Sequence, residues 1–167
     1  MATPTSLPAA VATGDVGTAA QFNNLRGAFR ILQVVYGSTN TQVTNSTTTP
    51  VDTGLTATIT PQSTSSKVLV FVNQNGGAKG AGNAANAVNV QLMRGATNIQ
   101  NIILSGGYTN SLLELRLATI SGIFLDSPAT ASPVTYKTQF YNDLNAAAVV
   151  VQIATETSSI VLMEVSA

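Results

Sequence analysis

The order of apolar and polar residues beyond residue 30 follows the two-residue period of β-strands. Between Val51 and Thr60, apolar side chains at Leu55, Ala57 and Ile59 alternate with polar or small residues, and Pro61 ends the run. This alternation is typical of a strand that buries one face and exposes the other. Similar short runs recur along the chain, separated by turn-forming residues roughly every ten to fifteen positions.

These runs predict about eight or nine strands and little helix in this part of the chain. The predicted strands cover residues 31–44, 51–60, 67–72, 88–93, 99–104, 115–125, 134–141, 149–153 and 160–165. The chain has 167 residues, which is enough for one domain with a substantial core. The spacing favours an all-β fold, an antiparallel β-sandwich or jelly roll that spans residues 31–167.

One predicted strand differs from the others because it is apolar on both faces. Its sequence is KVLVFV, from Lys67 to Val72. Such a strand is covered on two sides, either in a sandwich core or by a neighbouring subunit. Val68 and Val70 are therefore candidate subunit contacts.

The first 30 residues have a different character. Met1 to Ala12 contains two prolines and small residues, which predicts an extended arm. Thr18 to Phe29 predicts a helix, because Thr18 and Gln21 fit a capping box. The helix would carry a narrow apolar stripe of Phe22, Leu25 and Phe29. Two interpretations stay open: the stripes of several subunits pack together, or each stripe packs on its own sandwich.

The composition narrows the range of functions. Only 8% of the residues are charged, seven basic and seven acidic, and the chain has no His and no Cys. This excludes disulfides, thiol nucleophiles and imidazole bases, and it offers no basic patch for nucleic acid. No apolar run reaches the length of about 20 residues that a membrane span needs. We expect a non-enzymatic protein without a cofactor, whose weakly charged surface is covered by association.

Two loops are the candidates for ligand recognition. The segment GGAKGAG around Lys79 lacks the Gly-Lys-Ser/Thr of a phosphate-binding loop and predicts an exposed connection that continues to Asn83. Tyr108 follows a Gly-Gly turn, and Asn110 lies close to it. An exposed tyrosine and amide side chains suit contact with a sugar or a protein, although packing on the domain's own surface is the commoner role of a turn tyrosine. The carboxylates are scattered, without the spacing of an acid/base pair or a metal site.

Several segments resemble structural proteins of tailed bacteriophages. GDVGTAAQFNNLRGAF, from Gly14 to Phe29, looks like the segment that opens many phage fibre and appendage proteins. VDTGLTATITPQSTSSKVLVFV, from Val51 to Val72, resembles a recurring module of phage and prophage structural proteins. Residues 125–128, 135–137 and the closing SIVLMEV strand fit the same pattern.

The resemblance implies a homotrimer whose first 30 residues attach it to a phage particle or hold the trimer together. Its partners would be further copies of itself and capsid or tail proteins, with no nucleic acid and no membrane. The short chain favours a capsid decoration or cement protein, or a short fibre or knob. We expect it in the virion, assembled in the host cytoplasm and released by lysis, since residues 1–12 lack the pattern of a secretory signal. The alternative is a tail fibre or receptor-binding module that recognises a host surface glycan.

Overall fold

The computed structural model describes residues 31–82, 86–109, 111–143 and 147–166. These residues form twelve strands and a single 3-10 turn, and every strand pair is antiparallel. The predicted all-β, antiparallel character is therefore confirmed. The predicted arm (residues 1–12), the predicted helix (residues 18–29) and its apolar stripe lie outside the described residues.

Eight of the strands are long, with seven to ten residues each. They are β1 (Ile31–Thr39), β3 (Val51–Ile59), β4 (Lys67–Asn75), β6 (Val88–Arg94), β7 (Thr97–Gly106), β9 (Thr119–Asp126), β10 (Val134–Asn142) and β12 (Ser158–Val165). The other four have two or three residues: β2 (Val43–Asn45), β5 (Ala78–Lys79), β8 (Leu115–Arg116) and β11 (Val149–Val151). The 3-10 turn, Ile153–Thr155, precedes β12.

The strands form three four-stranded sheets, which is one sheet more than a simple sandwich has. The first sheet has the order β1-β12-β4-β9, and the second has the order β3-β10-β6-β7. The four short strands make the third sheet, β2-β11-β5-β8. Each short strand has too few residues to display a two-residue period, so the third sheet was not distinguished from the sequence, although β8 and β11 lie within predicted strands.

The main core lies between the first and second sheets. Inward side chains of β4 and β12 pack with those of β3, β6 and β10 in one cluster. The burial of β3 alternates along the strand, and Leu55, Ala57 and Ile59 are buried as their spacing predicts. A second cluster, which includes Val90, Phe140 and Val149, joins the second sheet to the third. The core is therefore continuous from sheet to sheet.

A chain of buried polar side chains crosses from one large sheet to the other. The hydroxyl groups of Thr53 and Thr138 lie 2.5 Å apart in the second sheet. Thr138 donates to the Gln74 Oε1 at 2.9 Å, and Gln74 Nε2 donates to the Ser158 hydroxyl at 2.9 Å in the first sheet. All four residues are fully buried. Because each of these side chains has a hydrogen-bonding partner, burial does not leave it without one.

A glycine lets the edge of the first sheet approach the second sheet closely. A Cβ atom on Gly37 of β1 would collide with the backbone oxygen of Thr56 in β3. A residue without a side chain is therefore required at this point of β1.

Candidate interaction surface

The outer face of the first sheet carries two complete rows of apolar side chains. Strand register aligns one row across all four strands, in the order Val34, Met163, Leu69 and Leu125. The next row, two residues along each strand, consists of Tyr36, Val161, Phe71 and Ile123. We call these eight side chains the apolar face. They point away from the core because the residues between them on each strand point into it.

The side chains on the two outer strands of the apolar face are the most exposed. Val34 and Tyr36 of β1 are 56% and 63% exposed, and Ile123 and Leu125 of β9 are 63% and 52% exposed. The four side chains on the central strands β4 and β12 have intermediate exposure. Large aliphatic and aromatic side chains that stand together in solvent form an apolar patch, and the largest such patch of a protein often has a function.

The apolar face covers a surface of the size of an interaction site. Four strands spaced at about 4.8 Å place the outer strands roughly 14 Å apart, and the two rows lie about 7 Å apart. With the width of the side chains included, the block covers on the order of 300 Å², the size of the largest apolar patch on a typical monomer, which often has a function. The described part of the chain lays no other element over these exposed side chains.

Small polar residues border the apolar face on one side. The next aligned row is Ser38, Ser159, Asn73 and Ser121, without a charged group. On the opposite side, Val165 of β12 aligns with Ile31 of β1 and Lys67 of β4. An apolar centre with a polar border and few charges is the usual composition of a protein interface.

The acidic neighbour of Met163 points inward, away from the apolar face. Glu164 is fully buried and accepts hydrogen bonds from Gln33 Nε2 at 2.6 Å and from the backbone amide of Gln62 at 2.7 Å. Burial alone would raise the pKa of this carboxyl, but these bonds, with further ones from Ser66 and the Ser63 backbone, hold the pKa below its ordinary value of 4.5. The charge is therefore satisfied inside the chain.

The acidic neighbour of Leu125 also points inward. Asp126 accepts a hydrogen bond from the Tyr136 hydroxyl at 2.6 Å, and Arg94 Nη1 contacts both of its oxygens at 2.9 Å. Burial, together with the hydrogen bond to Asp126, raises the pKa of Tyr136 well above its ordinary value. These contacts join β9 of the first sheet to β6 and β10 of the second.

The outer face of the second sheet has the opposite character. A ladder of polar side chains crosses its strands: Gln139 Nε2 donates to Asp52 at 2.7 Å, and Gln91 Nε2 donates to Gln139 at 3.1 Å. Asn98 Nδ2 then donates to both Gln91 and Asn101 at 2.9 Å. These groups pair with one another and suit contact with water. The two large sheets thus present one polar and one apolar outer face.

Strand β4 points Val68 and Val70 inward and their neighbours outward. Val68 and Val70, which the sequence suggested as subunit contacts, are fully buried in the chain's own core. Leu69 and Phe71 occupy the outer face instead. Alternation alone cannot tell which side of a strand faces the core when both sides are apolar.

The predicted recognition residues do not form one exposed group. Lys79 is fully buried in β5, and its Nζ donates to the backbone carbonyl oxygen of Ser111. Tyr108 is 58% exposed in its turn, as an exposed recognition residue requires. Asn83 and Asn110 lie outside the described residues. Sequence reasoning missed the exposed leucines 112 and 113 on the same loop, although their adjacent positions in SLLELRL are a visible signal.

The described residues offer few groups for metal chemistry. Within them, no cluster of three or more acidic side chains is arranged to hold a metal ion. In the same part of the chain, no helix has the length and apolar character needed to cross a membrane. The arrangement with the clearest chemical consequence is the apolar face, which can exclude water when a complementary surface covers it.

No protein-family model matches the chain, and no curated protein matches it.

Proposed function

We propose that this chain is a non-enzymatic structural protein of a bacteriophage particle that works as a homotrimer. Its role would be that of a capsid decoration or cement protein, or of a short fibre or knob. The observation that carries the assembly role is the apolar face, with eight aligned side chains that nothing in the described chain covers. The phage setting depends on the resemblance of residues 14–29 and 51–72.

The charge distribution supports an assembly role. The chain has only seven basic and seven acidic residues; next to the apolar face, Glu164 and Asp126 are buried inward and Lys67 is exposed at the border. A free monomer keeps itself soluble with charged surface, whereas a subunit buries weakly charged surface against its partners.

We propose in addition that the fold is a jelly-roll sandwich. When the eight long strands are numbered one to eight along the chain, the first pairs with the eighth and the second with the seventh. The third then pairs with the sixth and the fourth with the fifth. A long antiparallel hairpin rolled up in this way gives a jelly roll, an architecture found in viral capsid and lectin domains. This likeness supports a virion role only by analogy, because one fold serves many functions.

Two measurements on the full chain test this proposal. Sedimentation velocity should give the mass of three chains at micromolar concentration. Gold-labelled antibodies against the chain should mark purified phage particles at head or tail in negative-stain images, while pre-immune antibodies should not. A monomer in solution would contradict the homotrimer, and the absence of the chain from washed particles would contradict the virion role.

A second candidate function is recognition of a host surface glycan. The observation in its favour is the exposure of Tyr108, on the same loop as the exposed leucines 112 and 113, since an exposed aromatic ring can stack on a sugar. Binding of the purified chain to a glycan array, lost in Tyr108→Ala and retained in Thr97→Ala at the other end of β7, would support this function. An array without any bound glycan would exclude the sugars that it displays.

A further inference from the structure

We propose that the trimer is closed by a head-to-tail contact across the apolar face. In this contact, the half of the face on β1 and β12 of one copy packs against the half on β4 and β9 of the next copy. The first half consists of Val34, Tyr36, Val161 and Met163, and the second of Leu69, Phe71, Ile123 and Leu125. The inference rests on the homotrimer of the proposed function and specifies its contact surface.

Symmetry determines which halves meet. In a twofold dimer, a surface patch meets the same patch of its partner, whereas a closed ring of three joins two different patches at every contact. A subunit of a ring is therefore approached by one neighbour from each side. The apolar face suits this arrangement, because its exposure is greatest on the two outer strands, with 56% and 63% on β1 and 63% and 52% on β9.

The area and composition of the face favour a further copy of the chain as the occupant. A stable protein interface buries about 800 Å² per partner, with an apolar core inside a polar rim. In the head-to-tail contact each copy contributes half of the face, roughly 150 Å², so the two halves together form an apolar core on the order of 300 Å² inside a polar rim. The aligned serines and Asn73 provide an uncharged rim on one side of the face, and Lys67 adds a single positive charge at the opposite border, so two copies meet little like-charge repulsion.

The sequence allows a clean cross-linking test, because the chain has no native cysteine. Four double variants of the full chain combine Val34→Cys or Tyr36→Cys with Ile123→Cys or Leu125→Cys. Within one copy, β1 and β9 lie roughly 14 Å apart, which is too far for a disulfide. Any disulfide between the two introduced positions must therefore join different copies.

The matched control places cysteines on the outer strands of the second sheet, as Thr58→Cys with Asn101→Cys. Both residues are exposed and lie on β3 and β7. After mild oxidation, at least one apolar-face double variant should run as a covalent trimer on a denaturing gel. The single variants and the control should remain monomers.

The outcomes separate this inference from the proposed function. If sedimentation gives a monomer, the homotrimer itself fails and this contact fails with it. If the variants are trimers by sedimentation but no double variant forms covalent trimers, the homotrimer stands and the head-to-tail contact is wrong. A single variant, such as Ile123→Cys, that links to itself as efficiently as the double variants would also overturn the inference, because it indicates contact between identical patches.

Discussion

Replacement of Ile123 by asparagine should weaken the trimer without unfolding the chain. Ile123 belongs to the apolar face, and 63% of its surface is exposed in the single chain. Because its side chain points away from the core and only the smaller part of it is covered in the single chain, its loss should change the free energy of unfolding of one chain by no more than about 1 kcal/mol. Most of its contribution should appear only when a second copy covers it.

The expected loss follows from the area that remains to be buried. Full burial of an isoleucine is worth about 1.5–3 kcal/mol, so the exposed fraction of Ile123 represents roughly 1–2 kcal/mol per subunit. Three copies give about 3–6 kcal/mol per trimer, which is roughly a 100-fold to 10,000-fold fall in the association constant. The concentration at which half of the chains are trimeric is inversely proportional to the square root of this association constant. It should therefore rise by roughly 10-fold to 100-fold.

The assay is sedimentation velocity over a dilution series, with urea unfolding of the monomer measured in parallel. Leu104→Asn is the matched control, because Leu104 is 57% exposed but lies on β7 of the second sheet. The control should leave the midpoint concentration of the trimer unchanged. Equal midpoints for Ile123→Asn and the native chain would refute the assignment of the apolar face as a subunit contact. An equal rise in both variants would show that the effect is not specific to this face.

Three further predictions concern stability. Glu164→Gln should lower the free energy of unfolding at pH 7 by about 1–3 kcal/mol, because the new amide nitrogen would face the donor of Gln33. Since the folded pKa of Glu164 lies below 4.5, the native chain should lose this advantage over the variant as the pH falls below 4.5. Urea unfolding of both proteins at pH 7 and pH 3 checks this, and an equal difference in stability between them at the two pH values would contradict it. Tyr136→Phe should cost about 1–3 kcal/mol in urea unfolding by removing a donor from the buried Asp126, and an unchanged midpoint would contradict this role. Gly37→Ala should lower the midpoint of thermal unfolding, because the added methyl group would collide with the backbone of β3. A loss of less than about 1 kcal/mol in the free energy of unfolding would show instead that the edge strand β1 can move aside.

The sequence was informative where burial alternates along a strand. The predicted strand at residues 51–60 corresponds to β3 (Val51–Ile59), and the one at 134–141 corresponds to β10 (Val134–Asn142). In both, alternate side chains face a core on one side and polar surroundings on the other, so a two-residue period is visible without knowledge of the partners.

The sequence was less informative where buried polar groups interrupt the pattern. The predicted strand ends at Val72 with the apolar run, but β4 extends to Asn75. Gln74 is nevertheless buried, because Ser158 and Thr138 supply its hydrogen bonds from distant parts of the chain. Partners that are 84 and 64 residues away leave no local signal.

One predicted strand proved to be two. The apolar run at residues 115–125 contains β8 (Leu115–Arg116) and β9 (Thr119–Asp126), which belong to different sheets. Likewise, the predicted strand at 31–44 divides into β1 and β2. A chain that leaves one sheet for another keeps its apolar character, so composition cannot reveal the point of transfer.

The apolar face was only partly predictable. The two-sided apolar character of Lys67 to Val72 predicted that both sides of β4 are covered. Leu69 and Phe71 are the apolar side chains on its outer side. The strands β9 and β12 have the same two-sided character in TISGIFLD and SSIVLMEV. Their alignment into two rows depends on the order β1-β12-β4-β9, which joins the two ends of the chain and cannot be read from any one segment.

The buried polar chain from Thr53 to Ser158 has a consequence for the accuracy of folding. Strands lined with interchangeable valines and isoleucines pack almost equally well after a shift along the sheet, so apolar contacts alone discriminate weakly between registers. A slip of one residue in β4 would turn Gln74 outward and leave the hydroxyls of Thr138 and Ser158 without this partner in the interior. The hydrogen-bonded chain therefore favours one strand register and one arrangement of the two sheets. The same register aligns the two rows of the apolar face.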